Sequence, residues 1–377
     1  MRKYLIFIAA IFLLLSCLEK EEKKRPVINI PPPSGGVQAP HIFMENTEGY
    51  RCFRIPALVQ TTKGTILAFA EGRKDSRADE GKIDLVMRRS EDGGKTWSCL
   101  STIWEDGANT CGNPSPVVGP DGRVHLLMTW NLGTDKIGMI NNGTSKDTRR
   151  VYYTYSDDDG LTWRKPSEIT SQAKKPEWGW YATGPCHAIV MTREPYRNRI
   201  VVPCDCIEVG ADRKQYSHVI WSDDNGHTWN IGGTVEGGNE STVAELPDGR
   251  LILNMRNSSQ FRTISYSSDG GKTWTAPEQN RDLIDPVCQG SMLNVYHSGE
   301  HTLFFSNAAA EKRRRMTIKK SSDGGKTWTW AMEVYTGHSA YSDIVALKSN
   351  ELGILYENGV SNSSERISFE KFDINKL

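Results

Sequence analysis

Short apolar or alternating runs recur along the chain, and each ends in a polar turn: IDLVMRRS, VYYTYS, HVIWS, RTISYS and MTIKKS. Runs of this length and alternation before a turn signal are strand signatures. Each of the five leads into the same box, Ser-x-Asp-x-Gly-x-Thr-Trp, at residues 90–97, 156–163, 222–229, 267–274 and 321–328. A second hairpin pattern lies upstream of each box: VQTTKGTILAFAEG, VVGPDGRVHLLMTW, IVMTREPYRNRIVVPC, VAELPDGRLILNMR and LNVYHSGEHTLFFSN. A sixth, VALKSNELGILYENG, is followed only by the final run RISFEKFDI. Five units therefore read as hairpin, loop, and hairpin with box, and a sixth is cut short. Repeated four-stranded sheets set radially protect their edges by closing a ring. The expected fold is all-β, a six-bladed β-propeller of four-stranded antiparallel blades over residues 41–377, its last blade completed by a strand around residues 42–46. Few segments carry helical periodicity, which argues against an α/β fold.

The box itself invites a nucleotide reading, because SSDGGKTW contains GGKT. A phosphate-binding loop needs a glycine five residues before its Gly-Lys-Thr, and those positions hold Arg89, Tyr266 and Lys320. A calcium loop fails as well, since SDDDG lacks the alternating acidic ladder and the distal glutamate. What the residue types do support is a stapled turn. Ser and Asp side chains accept from nearby backbone amides, Gly takes positive φ, and Thr-Trp re-enters a strand with a large ring to bury.

Composition changes the picture little: 37% of residues are hydrophobic and the formal net charge is zero. Without a basic face, nucleic acid is a poor partner. The start is different. MRKYLIFIAAIFLLLSC joins a basic tip to an apolar stretch and ends in Leu-Leu-Ser-Cys, which resembles a bacterial lipobox rather than an Ala-x-Ala site. Residues 1–17 then form a lipoprotein-type signal with Cys17 lipidated, and residues 18–40 a charged, Pro-rich tether. The expectation is an exported monomer held to the bacterial envelope, at the outer membrane, only through this lipid; a cleaved signal without a lipid is the alternative. The other seven cysteines are scattered and odd in number, so they read as core thiols rather than a disulfide framework. No zinc-knuckle spacing accompanies Cys204-Asp-Cys206.

Chemistry must come from one face of the ring. If each first strand runs from one face to the other, the boxes lie on the far face, and residues just before a first strand or just after a second share the near one. That selects Arg54, Glu240 and Tyr341 before first strands. It also selects Glu71, Arg73, Asp75, Arg77, Asp79 and Glu80, then Arg256, then Arg313, Arg314 and Arg315 after second strands. Several arginines aimed at one point repel unless an anion joins them, and their planar forks suit a carboxylate.

Together FRIPAL, AFAEGR…ADEGKIDLV, the repeated boxes, NMRN, the Arg-x-x-Met-Thr run and SAYSD resemble an exo-sialidase, over about residues 50–357. The resemblance implies that Arg54, Arg256 and Arg313 bind the sialic acid carboxylate. It also implies Asp79 as acid/base, Tyr341 as nucleophile, Glu240 as the glutamate that activates it, and Arg73 beside the ring hydroxyls. If Arg313 points inward, Arg314 points away, because strand residues alternate. The implied reaction releases terminal sialic acids from glycans with retention and requires no metal or organic cofactor. A tyrosine nucleophile is a known exception among glycosidases. It suits this substrate, whose anomeric carbon already bears a carboxylate that would repel an aspartate. Two alternatives stay open: a trans-sialidase or anhydro-product enzyme of the same fold, and a non-catalytic propeller that only binds acidic glycans. Linkage preference rests with loops 131–149 and 174–186, and Trp130 is the candidate for the N-acyl pocket.

Overall fold

A computed structural model describes residues 41–377. Cys17 and the tether lie outside the described residues. Regular structure there is almost all β-strand, with two short helices, Ile137–Asn141 and Thr170–Ala173, and a terminal 3-10 turn.

Antiparallel four-strand runs repeat through the chain. The first comprises Cys52–Gln60, Ile66–Arg73, Ile83–Ser90 and Ser101–Trp104, and the second Thr110–Val118, Val124–Asn131, Arg150–Ser156 and Ser167–Glu168. In the third the first strand is split, with Trp178–Thr183 and Ile189–Val190 both pairing Ile200–Glu208. The last run ends on His41–Met44, which pairs Arg366–Asp373 and so brings the start of the body onto its end. Hydrogen bonding joins the first run to the second in an eight-stranded sheet and the fifth to the sixth in a seven-stranded one, while the third and fourth stay separate as sheets of five and four strands. Two features cause the merging. Thr329–Leu347 continues unbroken from one run into the next, and a parallel bridge, Ile83 to Thr110, links the first run to the second.

Apolar side chains pack between consecutive runs rather than inside each. Val59, Phe69 and Met87 meet Val124, Leu126 and Met128 between the first two. Similar clusters lie at each following junction. A further one joins Leu58, Ile66 and Trp97 of the first run to Leu355, Ile367 and Phe369 of the last. Box tryptophans serve these seams: Trp97 meets Phe369 edge-on at 5.2 Å, Trp163 meets Phe69 at 5.8 Å, and Trp229 meets Tyr153 at 5.6 Å. Aromatic pairs in this geometry add to the area they bury.

The boxes are stapled turns. In the last, Asp323 Oδ1 accepts from the Ser321 hydroxyl at 2.8 Å and the Lys326 amide at 3.0 Å, while Oδ2 accepts from the Thr327 hydroxyl at 2.7 Å. Asp92, Asp158, Asp224 and Asp269 repeat the pattern.

At the middle of the molecule, buried Asp343 ties four runs together. Its carboxylate accepts from the Leu58 amide at 2.8 Å, the His187 amide at 2.9 Å and the Ser291 hydroxyl at 2.6 Å, and His187 Nδ1 lies 2.6 Å away.

Candidate active site

Three strands nearest this centre carry bulges where the sequence places polar residues. Register shifts fall between Arg54 and Ala57, between Gly112 and Ser115, and between Ser339 and Ser342. A bulge inserts one residue, bends the strand and re-aims a side chain. Ile55 shows the cost. It is β-branched yet sits at φ 60°, a region such residues avoid. What holds it there is Glu357, whose Oε1 accepts the Ile55 amide at 2.9 Å.

Glu357 organises Arg54 as well. Arg54 Nε and Nη2 donate to its two oxygens at 2.7 and 3.1 Å, and the Tyr341 amide donates to Oε2 at 3.3 Å. Sequence reasoning passed over Glu357. Its place near the end of the second strand of its run matches that of Glu71, and this was the available signal.

Tyr341 is buried, with Arg54 and Arg313 over its ring at 5.0 and 5.6 Å. Its hydroxyl donates to Glu240 Oε1 at 2.6 Å. Arg256 Nη1 donates to Glu240 Oε2 at 2.6 Å and to the Tyr341 oxygen at 3.2 Å. Glu240 and Arg256 are neighbours because they extend one hairpin ladder by a residue, the Arg256 amide donating to the Glu240 carbonyl at 2.9 Å. Burial pushes the Tyr341 phenol well above its ordinary value of 10; the Glu240 charge adds to this, while Arg256 and Arg313 oppose it. Arg313 also donates to the Val287 carbonyl at 3.1 Å. Arg314 and Arg315 are exposed, and Arg315 pairs Glu333 away from the centre.

Asp79 stands at the rim, its side chain 66% exposed, in an ion pair with Arg73 Nη1 at 2.8 Å. Shielding by the surrounding protein would raise its carboxyl, but Arg73 and Arg54 outweigh that and hold it below 3.8. Arg73 is buried and fully engaged: Nε and Nη2 donate to Glu71, and Nη1 to the carbonyls of Arg77 and Ala78. It lines the cavity, yet its donors go to Glu71 and the Asp79 loop.

Arg73, Asp79, Glu240, Arg256 and Tyr341 line a cavity of about 170 Å³, whereas Arg54 and Arg313 lie over the Tyr341 ring and are not on its wall. No box residue lines it. Its far wall brings in residues that the sequence did not single out. Arg149, fully buried, lies over the Trp180 ring at 3.9 Å and donates to Thr129 at 2.8 Å and to Asn113. Burial lowers its guanidinium to about 10 despite Glu71, Asp79 and Asp205, so it stays charged at neutral pH. Asp205 is buried in the same wall, its Oδ1 without a hydrogen-bond partner among the described residues. Trp130 is not on the cavity wall. Its indole donates to Asp106 at 2.7 Å, and Trp180 takes the lining position instead. A loop residue such as Arg149 has no strand alternation to fix its direction, which is why the pattern could not assign it.

An all-β repeat protein with arginines around a tyrosine–glutamate pair is thus the class that fold and site define. Residues 64–354 match the family described as BNR repeat-like domain. The chain is 32% identical over 345 residues to an exo-alpha-sialidase of Aspergillus fumigatus, covering 83% of this chain and 80% of that protein. Identity to a sialidase of Bacteroides fragilis is also 32%, across 86% of this chain but 63% of the relative's length. Among solved structures, Hadza microbial sialidase Hz136 superposes with a TM-score of 0.82 at 30% identity, over 90% of this chain and 69% of the other. The chain belongs to the sialidase family of glycoside hydrolases with BNR repeats.

Proposed function

We propose that the protein is a retaining exo-α-sialidase that removes terminal sialic acids from glycoproteins, glycolipids and oligosaccharides, and that its runs form a closed six-bladed propeller. The apolar seam between first and last runs, with Trp97 against Phe369, supports closure. The observation that carries the catalytic reading is the Tyr341 hydroxyl, held 2.6 Å from Glu240 among three arginines.

In this reading Arg54, Arg256 and Arg313 receive the substrate carboxylate. Each keeps N–H donors uncommitted among the described residues, and a charge-assisted hydrogen bond contributes about 1.5–3 kcal/mol. With the carboxylate fixed, the anomeric carbon faces the tyrosine oxygen. A phenol whose pKa is raised by burial is a poor nucleophile until its proton leaves, and Glu240 is within reach to take it. The arginines then stabilise the phenolate as it forms.

Asp79 donates a proton to the leaving oxygen and later takes one from water. Arginine charge keeps it ionised in the free protein, so it must gain a proton when substrate arrives. A bound carboxylate supplies the cause, because it neutralises part of the Arg54 field that depresses Asp79. Arg73 orients Asp79 throughout. Attack by tyrosine and then by water at one carbon gives net retention.

Proton NMR of the first sugar released from 3′-sialyl-lactose tests this. The reading expects free α-sialic acid before mutarotation. The β-anomer first, an anhydro sugar, or no release would overturn it.

A further inference from the structure

We propose that residues 45–51, the segment leading into the first long strand, brace the loop that carries Asp79, with Glu45 and Tyr50 as positioning residues. The inference rests on Asp79 being the acid/base group.

Loop 74–82 has little of its own to hold it. Residues 75–79 are exposed, and their ties to the interior are the Cys52 thiol, 3.7 Å from the Ser76 carbonyl, and the Arg73 guanidinium, which gathers the Arg77 and Ala78 carbonyls and the Asp79 carboxylate. The far end of the loop is held by the Thr110 hydroxyl, which donates to the Gly81 carbonyl at 2.9 Å, and its near end by the segment before Cys52. The Arg51 amide donates to the Arg73 carbonyl at 2.8 Å and the Lys74 carbonyl at 3.2 Å. Tyr50, 5% exposed, lays its ring where a side chain at position 72 would sit, since a Cβ on Gly72 would fall 2.6 Å from Tyr50 Cε1. The glycine of the EGR motif is therefore explained by this contact. Beyond the ring, the Tyr50 hydroxyl donates to Asp84 Oδ2 at 2.8 Å, and Lys74 Nζ lies 3.6 Å from both the ring centroid and that oxygen. Glu45 pairs with Arg77 at the outer edge of the loop.

A brace must itself be fixed, and this one is held from two sides. The Glu45 amide donates to the Glu365 carbonyl at 2.9 Å and the Thr47 hydroxyl to the Met44 carbonyl at 2.6 Å. Arg88, buried in the first run, donates to the Ile42 carbonyl at 2.7 Å and pairs with Glu48. The segment is thus clamped between the first and last runs while it touches the loop. An exposed pair such as Glu45–Arg77 contributes little to stability alone. Its effect here is to fix where an otherwise exposed loop points.

Misplacing a proton donor slows the step that needs the proton and leaves binding alone, and shifts of an ångström are costly. Glu45→Arg puts like charges together at Arg77, and Tyr50→Phe removes the bond to Asp84 while keeping the ring on Gly72. Each should lower kcat about tenfold on 3′-sialyl-lactose and less than twofold on an aryl sialoside, whose phenol leaves without a proton. Binding of an unreactive sialic acid analogue should not change. Adding Arg77→Glu to Glu45→Arg should restore most of the loss. Equal loss on both substrates, weaker analogue binding, or failure of the charge-swapped pair to recover would overturn the brace. Asp79→Ala is measured in parallel. If it does not discriminate between leaving groups, the acid/base reading fails and the brace with it; if it does while the segment variants do not, only the brace falls.

Discussion

Among the described residues Asp205 has no cation in contact and no partner for Oδ1, although it is buried in the wall of a cavity that holds several charges. Burial drives its carboxyl well above 3.8 and the Glu240 charge reinforces this, while Arg256 and Arg149 only partly oppose it. The native state therefore keeps a proton that the unfolded chain gives up above about pH 4. Below that pH both states are protonated and the group costs nothing. Above it the unfolded state gains, so stability falls as pH rises toward the native pKa. Asp205→Asn lacks this penalty. Its melting temperature relative to the parent should climb between pH 4 and 7, and a difference independent of pH would show that Asp205 is ionised in the native protein.

Stapled turns behave in the opposite sense. Slight burial works against the charge on Asp323, but hydrogen bonds from the Thr327 side chain and amide, with Ser321 and Lys326, hold its carboxyl at about 2. Its contribution is present above about pH 4 and is lost as pH falls toward 2. Asp323→Ala should cost about 1–2 kcal/mol at neutral pH with KM unchanged. Thermal melts should show the gap to the parent closing as pH drops from 4 to 2. A large rise in KM would mean that the box touches substrate.

Strands and boxes were legible because both obey short periods: alternation marks a half-buried strand, and Ser-x-Asp-x-Gly-x-Thr-Trp carries its own hydrogen-bonding plan. The ends of strands, read by their place in the repeat, gave Arg54, Glu240, Arg256 and Tyr341, which the structure brings together. Bulges were not legible. Nothing in FRIP says that Ile55 adopts φ 60°, a conformation its own preferences oppose and Glu357 enforces. Arg149 and Trp180 escaped for a different reason, since the direction of a loop or edge side chain depends on what packs against it.

At the scale of the whole molecule, the site depends on parts far apart in sequence. Arg54 and Glu357 come from the first and last runs, Leu58 and Asp343 join the same two, and His187 and Ser291 bring in the third and fifth. Strand pairing links only some neighbouring runs, whereas an apolar seam lies at every junction, so side-chain packing displays the repeat more evenly than the sheets do. In the proposed closed ring the first strands of the runs would surround one point. The structure brings Tyr341, Glu240, Arg54, Arg256 and Arg313 together. The central claim is that this tyrosine oxygen forms the covalent bond. With 2,3-difluorosialic acid, whose 2-fluoride leaves in the first step and whose 3-fluorine slows breakdown of the intermediate, the sugar should stay on the intact protein, and peptide mass spectrometry should find it on Tyr341 and lose it in Tyr341→Phe. A label on Glu240 or Asp79, or none while the enzyme still turns over sialosides, would contradict the account.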